Sequence, residues 1–217
     1  MLSASGLNVA DSATARRPSR RRTPVMAGPA LLVAAGLLAG CGGKPFNVKP
    51  RPSVSQPDYG ASGQIDSVGI QADAITDEDY LFETFDANLI QAGVYPVRIR
   101  MRNNGSEPLE LKRARFGIKS ATGKSFRVTE ARRAYKRLIS YYELSFYSKD
   151  GYKRSLSDFQ SYALDTESPV GPGDSRDGIL FFLLPAEVAR GGGLILEAAR
   201  LKSNQATADA TLELKLK

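Results

Sequence analysis

Pro96-Val97-Arg98-Ile99-Arg100-Met101-Arg102-Asn103-Asn104-Gly105 decides the fold class. Val97, Ile99 and Met101 alternate with three arginines, the period of two that sets one face of a strand in a core and the other in water. Asn104-Gly105 tolerates positive φ, so the next strand is expected to return antiparallel as a hairpin. Leu109 and Leu111 continue the pattern at odd positions, whereas Phe116 and Ile118 take it up at even ones. That change of parity predicts a β-bulge near Lys112-Arg113. Thr122-Gly123-Lys124 then turns the chain, and Phe126 and Val128 begin another strand.

Upstream, Val68, Ile70, Ala72 and Ala74 share one parity and predict a strand over about 64–75. Thr76-Asp77-Glu78-Asp79 reads as a cap followed by acidic residues, which suit the positive end of a helix. With Tyr80, Leu81, Phe82, Phe85 and Leu89 at helical spacing, a helix near 77–91 is expected.

Downstream, the period changes at Thr129: Ala131, Ala134, Tyr135, Leu138 and Tyr142 recur every three or four residues, predicting a helix inserted between strands. Pro169 to Asp174 reads as a turn. Ile179 to Leu184 are apolar on both parities, as in a strand covered on both faces. Gly191-Gly192-Gly193 reads as a further turn, followed by strands at Leu194–Leu201 and at Leu212, Leu214 and Leu216. Seven or eight short strands without strand-helix repetition predict a mainly β fold, an antiparallel β-sandwich with one or two inserted helices over 64–217.

The N-terminal forty residues read as targeting sequence rather than structure. Arg16, Arg17, Arg20, Arg21 and Arg22 precede an uncharged, small and apolar run from Val25 to Ala39. That run is shorter than the roughly 20 residues a membrane-spanning helix needs. Leu38-Ala39-Gly40-Cys41 resembles the lipobox of bacterial lipoproteins. The resemblance implies a signal peptide over 1–40, cleavage before Cys41 and fatty acyl chains, palmitate among them, carried on that cysteine. Gly42, where enteric lipoproteins retained at the inner membrane carry Asp, implies the outer membrane of the cell envelope. Cys41 is the only cysteine, so it has no partner for a disulfide within the chain. Residues 41–63, with Pro45, Pro50, Pro52 and Pro57, are expected to form a flexible linker.

The formal charge of +7 is mostly a property of this leader. Five arginines and Asp11 lie in 1–40, leaving 25 basic against 22 acidic residues beyond it. Pro52 to Val97 contains eight acidic residues and no basic one, while Arg98 to Arg137 contains thirteen basic and three acidic. Arg113, Arg115, Arg132, Arg133, Lys136 and Arg137 are candidates for a basic face toward anionic lipid or cell-wall polymer. Mutual pairing of the two oppositely charged segments is the alternative. Six of the nine tyrosines lie between Tyr135 and Tyr162, and Tyr141, Tyr147 and Tyr152 are candidate partner contacts. Covering a core would use such residues equally well.

The chain has no histidine, and its one cysteine is assigned to lipid, so histidine-dependent triads and His/Cys zinc sites lack their residues. No cofactor, metal or nucleic-acid partner is expected. A carboxylate-dependent envelope hydrolase remains as an alternative to a non-catalytic module for an envelope protein or glycan.

Pro96 to Glu110 is similar to the strand-turn-strand opening of telokin-like and related immunoglobulin-like domains of bacterial envelope lipoproteins. Pro172-Gly173-Asp174, then Gly178 to Phe182 and Pro185, resembles the turn and buried strand that close such domains. The resemblance spans roughly 94–201 and implies an immunoglobulin-like fold more than an activity. The tyrosine-rich stretch from Thr129 to Ser168 departs from it.

Overall fold

The computed structural model describes residues 46–52, 58–146, 148–201 and 211–216. They belong to one compact unit, Lys44–Lys217. The strands are β1 (Ala61–Ile65), β2 (Val68–Ala74), β3 (Val94–Asn103), β4 (Arg115–Lys119), β5 (Ser125–Thr129), β6 (Ser175–Leu183), β7 (Ile195–Ala199) and β8 (Thr211–Lys215). Four helices accompany them: α1 (Glu78–Phe85), α2 (Ala131–Tyr141), α3 (Lys149–Ser161) and the short α4 (Ala186–Arg190).

All strands pair antiparallel in the order β1-β2-β3-β6-β5-β4-β7-β8. β5 serves two sheets: Ser125–Arg127 pairs with β4, while Val128 and Thr129 pair with Phe182 and Phe181 of β6. The first sheet is β1, β2, β3 and β6; the second is β4, β7 and β8. β1 and β8, at opposite ends of the order, lie against each other. The architecture is a β-sandwich with α1, α2 and α3 added on one outer face.

Two apolar cores follow from the pleat. Val97, Ile99, Met101, Leu180 and Phe182 of the first sheet meet Phe116, Ile118, Leu196, Ala198 and Leu214 of the second. On the opposite face, Val94, Ile179 and Phe181 meet Leu81 and Phe85 of α1, Ala134, Tyr135 and Leu138 of α2, and Phe159 of α3. Ile179 to Phe182 are all buried, as the double-parity apolar run predicts. Pro96 sits in β3 at the point where pairing with β2 stops: its carbonyl accepts from Ile75 N, but without an N–H it returns no bond to Ile75, and the ladder ends at Ala74.

Several expectations are corrected. The strand over 64–75 is a hairpin, β1 and β2, turning at Asp66 with φ of 51°. Asn104-Gly105 does not close a hairpin, because β3 pairs with β2 and β6 and the chain after it crosses to the other sheet. The buried Asn103 directs this crossover: its amide donates to the carbonyls of Glu107 (2.7 Å) and Val170 (3.0 Å) and accepts from Gly105 N (3.0 Å). The parity change comes from a turn rather than a bulge, with Ala114 N donating to Leu111 O across Lys112-Arg113. The helix near 77–91 stops at Phe85, where Asp86 takes the left-handed conformation, although Leu89 still reaches the core. Its cap is Asp77, accepting from Tyr80 N at 2.7 Å.

The linker expected over 41–63 is shorter than its composition suggests. β1 begins at Ala61, and Phe46 to Pro52 lie on the helical layer. Val48 is fully buried there, Lys49 N donates to Thr84 O, and the Tyr162 hydroxyl donates to Lys49 O and, more weakly, Pro50 O. Two apolar side chains, Phe46 and Val48, suffice to dock a stretch otherwise rich in proline and lysine.

Candidate functional site: a polar groove on the first sheet

The helices cover only part of the outer face of the first sheet. Beyond them the pleat aligns outward side chains in rows. One row is Gln64, Gly69, Arg102 and Ser175; the next is Ser62, Gln71, Arg100 and Asp177; a third places Asp73 beside Arg98. The first two rows, with Asn104 at one end, line a groove of about 700 Å³, while Asp73 and Arg98 border a separate one of about 400 Å³ with Tyr80.

The groove is organised by ion pairs between neighbouring strands. Arg100 Nε meets Asp177 Oδ1 at 2.6 Å, and Arg98 Nη2 meets Asp73 Oδ2 at 3.0 Å. Tyr59 lies beside both pairs, its hydroxyl donating to Asp177 at 3.1 Å and its ring lying 5.5 Å from the Arg100 guanidinium and 5.9 Å from that of Arg98. Burial, then the Asp177 carboxylate, pushes the Tyr59 hydroxyl up to about 12. Arg102 is different. Its row neighbours Gly69 and Ser175 are small, it is exposed, and it has no ion pair among the described residues. The floor beside it is kept low by Gly69, where an added Cβ would stand 3.4 Å from Asn104 Nδ2.

Asp73 and Asp177 are each held in an ion pair with an arginine of β3. The open guanidinium, side-chain amides and hydroxyls are hydrogen-bonding groups for a polar or anionic ligand.

The six basic residues singled out in the sequence divide between two elements. Arg113 lies in the turn before β4 and Arg115 opens that strand, where Arg115 and Arg127 border a second groove of about 460 Å³ over Gly117. Arg132, Arg133, Lys136 and Arg137 occupy the exposed side of α2; Arg137 Nε donates to Ala92 O at 3.0 Å. Of the three tyrosines, Tyr141 is 47% exposed and packs edge-on against Tyr142. Tyr152 is half-buried between Tyr135 and Phe146. Tyr147, Cys41 and the lipobox Leu38, Ala39 and Gly40 lie outside the described residues.

Tyr59, Asp73, Arg102 and Asp177 are not among the residues singled out in the sequence. The outward parity of Arg98, Arg100 and Arg102 was the available signal; their partners depended on which strands flank β3.

No family model matches the chain, and no curated protein matches it. Three solved structures are similar, each at 11% identity. The yjhA protein of Bacillus subtilis aligns over 73% of this chain and 98% of its own, with a TM-score of 0.39. A conserved hypothetical protein of Bacillus anthracis aligns over 63% and 85%, with a TM-score of 0.35. An uncharacterized beta-sandwich protein of Clostridium difficile aligns over 72% and 94%, with a TM-score of 0.32.

Proposed function

We propose that this chain is the precursor of a bacterial lipoprotein whose mature form is a non-catalytic binding module held at the cell envelope through Cys41. The support is the order of its N-terminal features: five arginines, an uncharged apolar run, then Leu38-Ala39-Gly40-Cys41. Each buried methylene of an attached acyl chain contributes about 0.8 kcal/mol, so two or three chains hold a protein at a bilayer persistently. Gly42 favours the outer membrane as destination.

The immunoglobulin-like sandwich presents the Arg100-Arg102 groove to an envelope protein or glycan. The observation that carries this reading is the contrast within one strand: Arg98 and Arg100 are neutralised by Asp73 and Asp177, while Arg102 is left open among polar side chains. Such an arrangement fixes a charge in place for a ligand.

Intact mass measurement of the native protein tests the anchor: the expected species begins at Cys41 and carries acyl groups, and a species retaining Met1 overturns it. For the groove, a photoreactive residue at Gln71 is expected to capture an envelope component in intact cells. Arg102→Glu is expected to abolish that capture while changing stability by no more than about 0.5 kcal/mol. Cleavage of a cell-wall substrate by the purified mature chain would overturn the non-catalytic reading.

A further inference from the structure

We infer that α2 rests on the anionic headgroups of the membrane leaflet that holds the chain, so that the protein has a fixed orientation there. This rests on the lipid-anchor reading and deepens it. α2 reads Ala-Arg-Arg-Ala-Tyr-Lys-Arg-Leu-Ile-Ser-Tyr, with four basic residues and no acidic one. Ala134, Tyr135 and Leu138 face the core, which turns Arg132, Arg133 and Lys136 outward beside the exposed Tyr141. No ion pair engages those three cations among the described residues. In sequence, acidic residues flank the helix at Glu130 before it and Glu143 after it, and Glu78 of α1 acts on Tyr142 at its C-terminal end.

The docked N-terminal segment supplies the second, independent observation. The ring of Phe46 lies 6.3 Å from that of Tyr135 on α2 and 6.1 Å from that of Phe146. The chain therefore leaves the domain beside α2. Cys41 is five residues upstream, a covalent reach of at most about 18 Å at 3.6 Å per residue. A lipid on Cys41 with so short a tether keeps this part of the domain close to the bilayer, within about two Debye lengths at physiological salt. Which helix then turns toward the lipid is decided by charge. α1 carries Glu78, Asp79 and Glu83 and is repelled by anionic headgroups, whereas α2 is attracted. An exposed tyrosine at the end of a basic helix suits the same interface.

The test uses the native lipidated protein in vesicles of phosphatidylcholine alone or mixed with phosphatidylglycerol, with lysine acylation read by mass spectrometry. Lys136 is expected to react at least about fivefold more slowly on the mixed vesicles, the factor that one cation's attraction to an anionic surface represents. High salt should remove the protection, and Lys124 in the β4–β5 turn should react alike in both. Equal reactivity of Lys136 on both vesicle types would overturn the inference, as would crosslinks from position 136 to a protein without any protection by vesicles. A second arm measures sedimentation of the mature chain bearing Cys41→Ser with the mixed vesicles. Charge reversal at Arg132, Arg133 and Lys136 is expected to lower its partition at least about tenfold at an unchanged urea midpoint, and equal partition would overturn the inference. Because this arm needs no acyl chain, it separates failure of the basic face from failure of the anchor.

Discussion

Gly178 of β6 faces the backbone of Leu164 so closely that an added Cβ would stand 2.5 Å from the Leu164 nitrogen, a separation real side chains do not adopt. The contact arises because residues 162–164 run along β6: Ile179 N donates to Tyr162 O at 2.7 Å and Leu164 N to Ile179 O at 3.1 Å. This segment occupies the edge of β6 below the point where β5 joins it. Gly178→Ala forces backbone apart from backbone, and a loss of about 3 kcal/mol is expected, at the upper end of overpacking costs. Urea denaturation reads it directly; an unshifted midpoint would mean that 162–164 does not pair with β6.

Asn103 is predicted to be nearly as sensitive despite being polar. Replacement by alanine removes the partner of the Glu107 carbonyl and of the Gly105 N–H, and leaves the Val170 carbonyl only its bond from Leu109 N. Even one buried group left unpaired costs about 1–3 kcal/mol, so Asn103→Ala should destabilise by about 3 kcal/mol. A midpoint unchanged within error would rule out the bonded arrangement.

Docking of the N-terminal segment is testable without unfolding the domain. Val48→Ala removes two buried methyl carbons and leaves the β-carbon as a methyl, worth about 1–2 kcal/mol with its cavity. Hydrogen exchange at the Lys49 amide, which donates to Thr84 O at 2.9 Å, should accelerate, while β3 amides keep their protection. Uniform acceleration across β3 would instead make the segment part of the global fold.

Alkaline pH should weaken the protein over a defined window. The hydroxyls of Tyr59, Tyr95, Tyr135 and Tyr162 are pushed up to about 12, in every case chiefly by burial. Below pH 10.0, where an unperturbed tyrosine ionises, both folded and unfolded chains are neutral at these sites. As pH rises from 10 to 12 only the unfolded chain releases the protons, so stability is intact below the window and falls through it. Tyrosinate absorbance should show a group of late-titrating residues, and Asp177→Asn should bring Tyr59 down part of the way while its burial persists. Titration of all nine near pH 10.0 would contradict the packing.

Local pattern was readable where each residue's neighbours along the chain determine its environment. The alternation through β3 and β2, the double-parity run in β6 and the apolar stripe of α2 are properties of single elements, and each lies as its period requires. Connections were less readable. Asn104-Gly105 has hairpin chemistry, but Leu109 and Leu111 gain more burial by crossing to the gap between the sheets than by lying beside β3. α3 escaped because its polar sequence buries little beyond Ser155 and Phe159, too few for a visible stripe. The groove was half legible: the arginines announce an outward row, whereas Asp177 is 77 residues from Arg100 and only the β3–β6 pairing brings them together.

β5 gives three residues to one sheet and two to the other, so neither layer can part from its neighbour without breaking the same five-residue strand. Melting should therefore be a single concerted event, with far-ultraviolet circular dichroism and tyrosine fluorescence losing their signals together, and calorimetric and van't Hoff enthalpies in agreement.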